Sequence, residues 1–158
     1  MTHPKEEKTL IILKPDAVHR GLVGEIVARF ERKGLKIIGM KMIQLEDAIL
    51  EAHYAHVADK PFFSGIKNYM KASPVVVMAL SGIQAVSATR LIVGPTRAAE
   101  AAAGTIRGDF SLSMQSNIVH ASDSVENGVV EVERFFKADE LFAYKRNDFD
   151  FIYADEVF

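Results

Sequence analysis

The run Thr9-Leu-Ile-Ile-Leu13 is the strongest constraint in this chain. It is short, rich in aliphatic and β-branched residues, and has no polar position after Thr9, so it predicts a strand buried on both faces. Lys14-Pro15 follows at once. Proline cannot continue a ladder and pushes its predecessor toward an extended backbone, so the strand ends there and presents Lys14 at its tip. Pro74-Val-Val-Val-Met-Ala-Leu80 is the clearest strand of the chain. Further strands are predicted over Leu35 to Leu45 and over Asn117-Ile-Val-His120.

Helical spacing fills the intervals. Leu22, Ile26 and Phe30 recur on one face, Glu25 precedes Arg29 by one turn, and Gly34 stands where a helix-ending glycine belongs. Short helices are read over Ala48 to Tyr54 and Phe62 to Lys71, and another over Gly82 to Leu91. The Arg97 to Thr105 stretch, with Gly94-Pro95 before it and Gly104 inside it, reads as a long, partly ordered loop. A helix from about Ser124 to Phe136 carries an apolar stripe of Val125, Val129, Val132 and Phe136, and Asp123 with Glu126 matches a capping signature. The order is β-α-β-α-β-α-β-α.

At 158 residues and 49% hydrophobic content, the chain is expected to be one domain spanning 1–158. Residues 1–7 are polar and expected to be flexible. The segment 141–158, with Phe142, Tyr144, Phe149, Phe151, Tyr153 and Phe158, is too aromatic for a free end and should pack on the body or on a neighbouring subunit. A net charge of -2 attracts neither nucleic acid nor an acidic membrane, so any anionic ligand needs local cations. The absence of cysteine removes disulfides, thiolate catalysis and thiolate metal sites together. No apolar run is long enough to span a bilayer. The expectation is a soluble, cytoplasmic protein with no membrane partner and no specific nucleic acid.

The chain has no G-x-x-x-x-G-K-[ST] loop, no G-x-G-x-x-G and no H-E-x-x-H. His53 and His56 have a ligand-like spacing but no evident third partner, so they read as surface histidines and no metal ligand is assigned. His120 is more informative. It lies where a β-rich segment stops, just before a helix, with Glu131 about three helical turns further on. A carboxylate there, with Ser122 as a relay, would orient the imidazole and leave one nitrogen free to act as a nucleophile. The chain's physics leaves equally open a His120 that only hydrogen-bonds a helix cap.

Asn117-Ile-Val-His-Ala-Ser-Asp123 closely resembles the active-site signature of the nucleoside diphosphate kinase family. The resemblance continues through Leu13-Lys-Pro-Asp-Ala17, Arg20-Gly-Leu-Val-Gly24, His53-Tyr54, Lys60-Pro-Phe-Phe63, Gly104-Thr-Ile-Arg-Gly-Asp-Phe110 and Ser122-Asp-Ser-Val-Glu126, in the family's order, over about Thr9 to Tyr153. It implies that His120 becomes phosphohistidine while Glu131 and Ser122 orient its ring. It further implies that Arg90, Thr96 and Arg107 hold phosphate, that Tyr54 shapes the pocket, and that Lys14 and Asn117 contact the sugar 3′-hydroxyl, Lys14 also lying near the transferred phosphate. For the arginines a structural ion pair stays open as an alternative. Phe62 would stack on the base with Met114 on its other face, although both residue types also fill cores.

The implied reaction is a ping-pong transfer of the γ-phosphoryl from a nucleoside triphosphate to a nucleoside diphosphate, with broad base specificity and with Mg²⁺ carried by the nucleotide. The implied fold is a ferredoxin-like α/β (α+β) sandwich, a four-stranded antiparallel sheet with helices on one face plus family-specific additions. Relatives form homo-oligomers, and a hexamer is expected here in preference to a tetramer. The 94–116 loop often joins that assembly, and this chain has Ala98 and Ala103 where relatives often have proline. Ala121 replaces a frequent glycine. A catalytically silent nucleotide-binding module and a histidine phosphocarrier fed by a protein donor are the competing readings.

Overall fold

The computed structural model describes residues 3–156, so residues 1, 2, 157 and 158, the outer ends of the expected flexible start and aromatic tail, lie outside the described residues. The elements are β1 (Glu6–Leu13), α1 (Pro15–His19), α2 (Val23–Lys33), β2 (Lys36–Ile43), α3 (Asp47–His53), α4 (Phe63–Lys71), β3 (Val75–Ile83), α5 (Ala85–Val93), α6 (Ile106–Phe110), β4 (Val119–Ala121), α7 (Val125–Phe135) and α8 (Phe149–Ile152), with short 3₁₀ turns between them. The strands form one four-stranded sheet of order β2-β3-β1-β4 in which every neighbour is antiparallel.

Helices cover both faces of that sheet. Ile11, Leu13, Val76, Met78 and Leu80 share a core with Ile26 and Phe30 of α2, whereas Leu10, Ile12, Val75, Val77 and Ala79 share another with Leu50, Met70 and Val132. The alternation of side chains along β1 and β3 produces this split, and it accounts for strands with no polar face.

Several boundaries differ from those expected. β1 begins at Glu6, because Glu6 and Glu7 pair with Ile83 and Gly82 of β3. Glu6 also meets Lys36 at 2.7 Å, and the Glu7 carboxylate accepts from the Val86 backbone at 3.1 Å, so both acidic residues belong to the fold. β3 runs on through Gly82, which delays α5 to Ala85. Pro15 ends β1 and also opens α1, a position where its missing N–H costs nothing. The expected loop holds a 3₁₀ turn at Ala98–Glu100 and is followed by α6, capped by the Thr105 side chain accepting from the Gly108 backbone. α7 is capped by Ser124, not Asp123. Its buried side is Gly128, Val132 and Phe135, while Val125 and Val129 of the expected stripe are exposed. Gly34 does end α2, at φ 101.

The segment after α7 crosses the outer edge of β2. Ile38 bulges out of register, and its carbonyl accepts from the Phe142 backbone at 2.8 Å, while Tyr144 Oη donates to the Ile37 carbonyl at 2.6 Å. Ile152 and Tyr153 crowd Gly34 and Gly82, so these tail side chains rest on the body.

Candidate active site

β4 is only three residues long, yet it sets the direction of His120. In the register Ile12 stands opposite His120, so the imidazole projects to the same face as Ile12, where α7 and α3 pack. The chain reaches β4 through Ile118, whose φ of 72 is rare for a β-branched residue. Three hydrogen bonds hold that strained turn. Asp16 accepts from the Ile118 backbone at 3.0 Å, the Ile118 carbonyl accepts from the Lys14 backbone at 2.8 Å, and the Tyr69 hydroxyl donates to the other Asp16 oxygen. Asp16 and Tyr69 thus support the site through contacts between distant segments that local sequence patterns do not show.

His120 Nε2 lies 3.0 Å from Glu131 Oε2, which also accepts from Ser122 Oγ at 2.6 Å. Ser122 in turn accepts from the Leu10 backbone at 2.9 Å, so the relay is anchored to the sheet. Burial pushes the Glu131 carboxyl up, but the hydrogen bonds from His120 and Ser122 and the His120 charge outweigh it and bring it down to about 2. An ionised carboxylate only accepts, so the proton of a neutral His120 sits on Nε2 and the lone pair is left on Nδ1. Ala121 takes ordinary strand geometry, so the site does not need a glycine there.

A cavity of about 1080 Å³ opens beside this ring, and Lys14, Tyr54, Phe62, Arg90, Thr96, Arg107, Met114, Asn117, His120 and Glu131 all line it. Ser122, fully buried, stands behind Glu131. Phe62 is 56% and Met114 63% exposed, which removes the core-filling alternative for both. Asn117, 1% exposed, accepts from Lys14 Nζ at 2.6 Å and donates to the Thr96 carbonyl at 3.1 Å. Burial and the nearby Arg107 charge lower the Lys14 ammonium to about 8 against the opposing pull of Asp16. Arg107 donates to the carbonyls of Asn117, Gly94 and Val119 at 3.2, 3.0 and 2.6 Å, and burial with the Arg90 charge lowers it to about 10. It therefore braces the loops around the cavity as well as lending it charge. Burial and Glu131 raise the Tyr54 phenol to about 12, so it stays protonated.

His53 is not a surface histidine. It is buried, its ring meets that of His120 edge-on at 4.5 Å between centroids, and Arg134 lies 3.2 Å from its Nδ1. By distance, His53, His120 and Glu131 could grip a metal, their ligand atoms lying within 4.8 Å of one another. The same atoms also make hydrogen-bond contacts, His120 Nε2 with Glu131 and His53 Nδ1 with Arg134. The signal for Arg134 was its i+3 spacing from Glu131 on one helix face. For His53 it was the His-Tyr pair beside Tyr54.

Comparison with known proteins agrees with this geometry. The model of the family described as nucleoside diphosphate kinase matches residues 7–141. Among similar proteins, a nucleoside diphosphate kinase of Parabacteroides distasonis is 53% identical over 96% of this chain and 99% of its own, and one of Archaeoglobus fulgidus 48% identical over 94% and 99%. The structure of a halophilic nucleoside diphosphate kinase from Halobacterium salinarum in complex with CDP superposes with a TM-score of 0.91 at 39% identity, covering 94% of this chain and 99% of that one. With sequence, sheet order and a fixed imidazole in agreement, the chain belongs to the nucleoside diphosphate kinase family.

Proposed function

We propose that this protein moves the γ-phosphoryl of a nucleoside triphosphate to a nucleoside diphosphate in two half-reactions through His120. The observation that carries this reading is the Ser122–Glu131–His120 chain of hydrogen bonds, which leaves the Nδ1 lone pair for bond making. In the first half-reaction Nδ1 attacks the γ-phosphorus, the N–P bond forms, and the bond to the β-phosphate oxygen breaks as the diphosphate leaves. In the second, a phosphate oxygen of another diphosphate attacks the same phosphorus and the N–P bond breaks. Glu131 offsets the positive charge that grows on the ring. Lys14, Arg90 and Arg107 offset the charge on the phosphoryl oxygens, and Thr96 and Tyr54 complete the phosphate end.

Lys14 and Asn117 are a hydrogen-bonded pair suited to a sugar hydroxyl. Phe62 and Met114 stand exposed at the outer end of the cavity, where stacking accepts any base because each has a π-face. The cavity offers cations to phosphate, while Glu131 is already engaged, so it fits a Mg²⁺ that arrives bound to the nucleotide as part of the substrate. Exposed Met40 and Met42 on the edge strand β2, with exposed Leu112 and Phe142, support a homo-oligomer, and we favour a hexamer over a tetramer. The cysteine-free composition supports a cytoplasmic setting. Among the described residues no helix is long and apolar enough to cross a membrane.

Incubation with γ-labelled ATP tests the mechanism. The wild type should take up acid-labile, alkali-stable phosphate and pass it to any diphosphate, and His120→Ala should do neither. Normal turnover in that variant would refute the proposal.

A further inference from the structure

We propose that Arg134 is a positioning residue for the nucleophile, acting through His53: its guanidinium donates to His53 Nδ1, fixes the Nε2–H tautomer of that ring, and so holds a neutral imidazole edge-on against His120. The inference rests on the reading that His120 carries the phosphoryl group.

Arginine has no lone pair to offer, so in the Arg134–His53 contact at 3.2 Å the imidazole nitrogen must be the acceptor. That choice places the ring proton on Nε2. His53 is held on its other sides as well. Its ring meets Tyr54 at 4.8 Å, Phe135 at 5.2 Å and His120 at 4.5 Å, all edge-to-face. Rings packed this way do not turn over freely, so the tautomer that Arg134 selects also fixes which edge meets the nucleophile.

The charges around His53 come from three elements. His120 stands on β4, Glu131 and Arg134 on α7, and His56 on the 3₁₀ turn at Ala55–Val57. Burial, His120, Arg134 and His56 all disfavour a proton on His53, and only Glu131 favours one. A cationic His53 would compete with His120 for the single carboxylate that orients the nucleophile. Burial and the His120 charge are the main obstacles to this, and Arg134 adds to them by its own charge and by occupying the Nδ1 lone pair.

The test combines ¹⁵N NMR of the histidine rings in the full-length protein with steady-state kinetics on Arg134→Met and Arg134→Lys. The His53 resonances are assigned by their loss in His53→Asn. In the wild type, His53 Nδ1 should resonate as an unprotonated acceptor and Nε2 as protonated, without change from about pH 8 to about pH 5. In Arg134→Met the two tautomers should mix, while burial and the His120 charge keep the ring neutral across that range. The kcat of that variant should fall by roughly 10-fold at neutral pH, with nucleotide KM within about 2-fold. Arg134→Lys restores a charged donor and should recover the tautomer and most of the rate. An unchanged His53 spectrum in Arg134→Met would overturn the proposal. So would a raised nucleotide KM at unchanged kcat, which would make Arg134 a phosphate ligand. Phosphate labelling of His120 in the same variants is read separately, so failure of the phosphohistidine reading remains distinct from failure of this one.

Discussion

Gly128 brings α7 so close to β1 that a Cβ on it would stand 2.2 Å from the Lys8 carbonyl oxygen. That seam carries the catalytic geometry, because Glu131 is one turn further along α7 while Ser122 bonds Leu10 of β1. Gly128→Ala gains up to about 1 kcal/mol of helix propensity but forces the helix off a backbone atom that cannot yield cheaply, which costs about 3 kcal/mol. The clash should win. A lowered melting temperature together with a lowered kcat is expected, and a variant with wild-type values for both would show that the seam is softer than its spacing implies.

Glu131→Gln keeps the shape of the orienting side chain and removes its charge. With a neutral amide beside it, His120 loses the partner that holds Nε2–H and balances the positive ring during transfer. Stopped-flow phosphorylation should slow on the order of 10²-fold with little change in nucleotide KM. The stability contribution has a defined sign. The folded carboxyl is depressed from 4.5 to about 2, so its contribution is full above pH 4.5 and is lost as pH falls toward 2. The stability gap between wild type and Glu131→Gln should narrow across that window in urea titrations. A constant gap would show that the carboxylate does not gain from its setting.

The fold was legible where one physical demand dominated. Thr9 to Leu13 and Pro74 to Leu80 have no polar face, and both became central strands; the Leu22, Ile26, Phe30 pattern became α2. The pocket residues that the family resemblance names line one cavity. The misread elements depend on contacts between distant segments. α1 and α6 are each five residues long, too short to show a period, and α1 is tied to Ile118 through Asp16. Pairing with β1 carries β3 past Leu80 through glycine and serine positions that local propensity would place outside a strand. His53 looked like a surface residue because its burial comes from Phe135 and His120, which follow it by more than sixty residues.

Phe62 tests whether the outer end of the cavity reads bases by stacking alone. It is more than half exposed, so Phe62→Ala should change folding stability by no more than about 0.5 kcal/mol. A lost stacking contact of about 1–3 kcal/mol raises the KM of each nucleotide by roughly 5- to 150-fold, by similar factors for purines and pyrimidines. Parallel KM measurements with ATP, GTP and CTP check this. A variant that became selective for one base would mean that polar groups in the cavity had been reading base edges all along.

Lys14 links pH to both activity and stability, in opposite directions. Its ammonium is lowered from 10.5 to about 8 by burial and Arg107, so the free protein loses this phosphate-binding charge as pH rises through about 8. The value of kcat/KM should fall above that point. The limb in kcat should lie at higher pH, since bound phosphates favour the charged amine. Stability moves the other way. Between about 8 and 10.5 the unfolded chain binds more protons at this site than the folded one, so the Lys14 contribution rises with pH across that interval. Measurement is cleanest below about pH 9.5, before the Tyr54 phenol, held up at about 12, adds an opposing slope as its unfolded counterpart ionises near 10. Lys14→Arg keeps a charge that does not titrate here and should abolish the kcat/KM limb near pH 8, at a lower plateau because the hydrogen bond to Asn117 is re-aimed. If the limb persists unmoved in Lys14→Arg, the titrating group is another residue and the ammonium is not what the nucleotide meets.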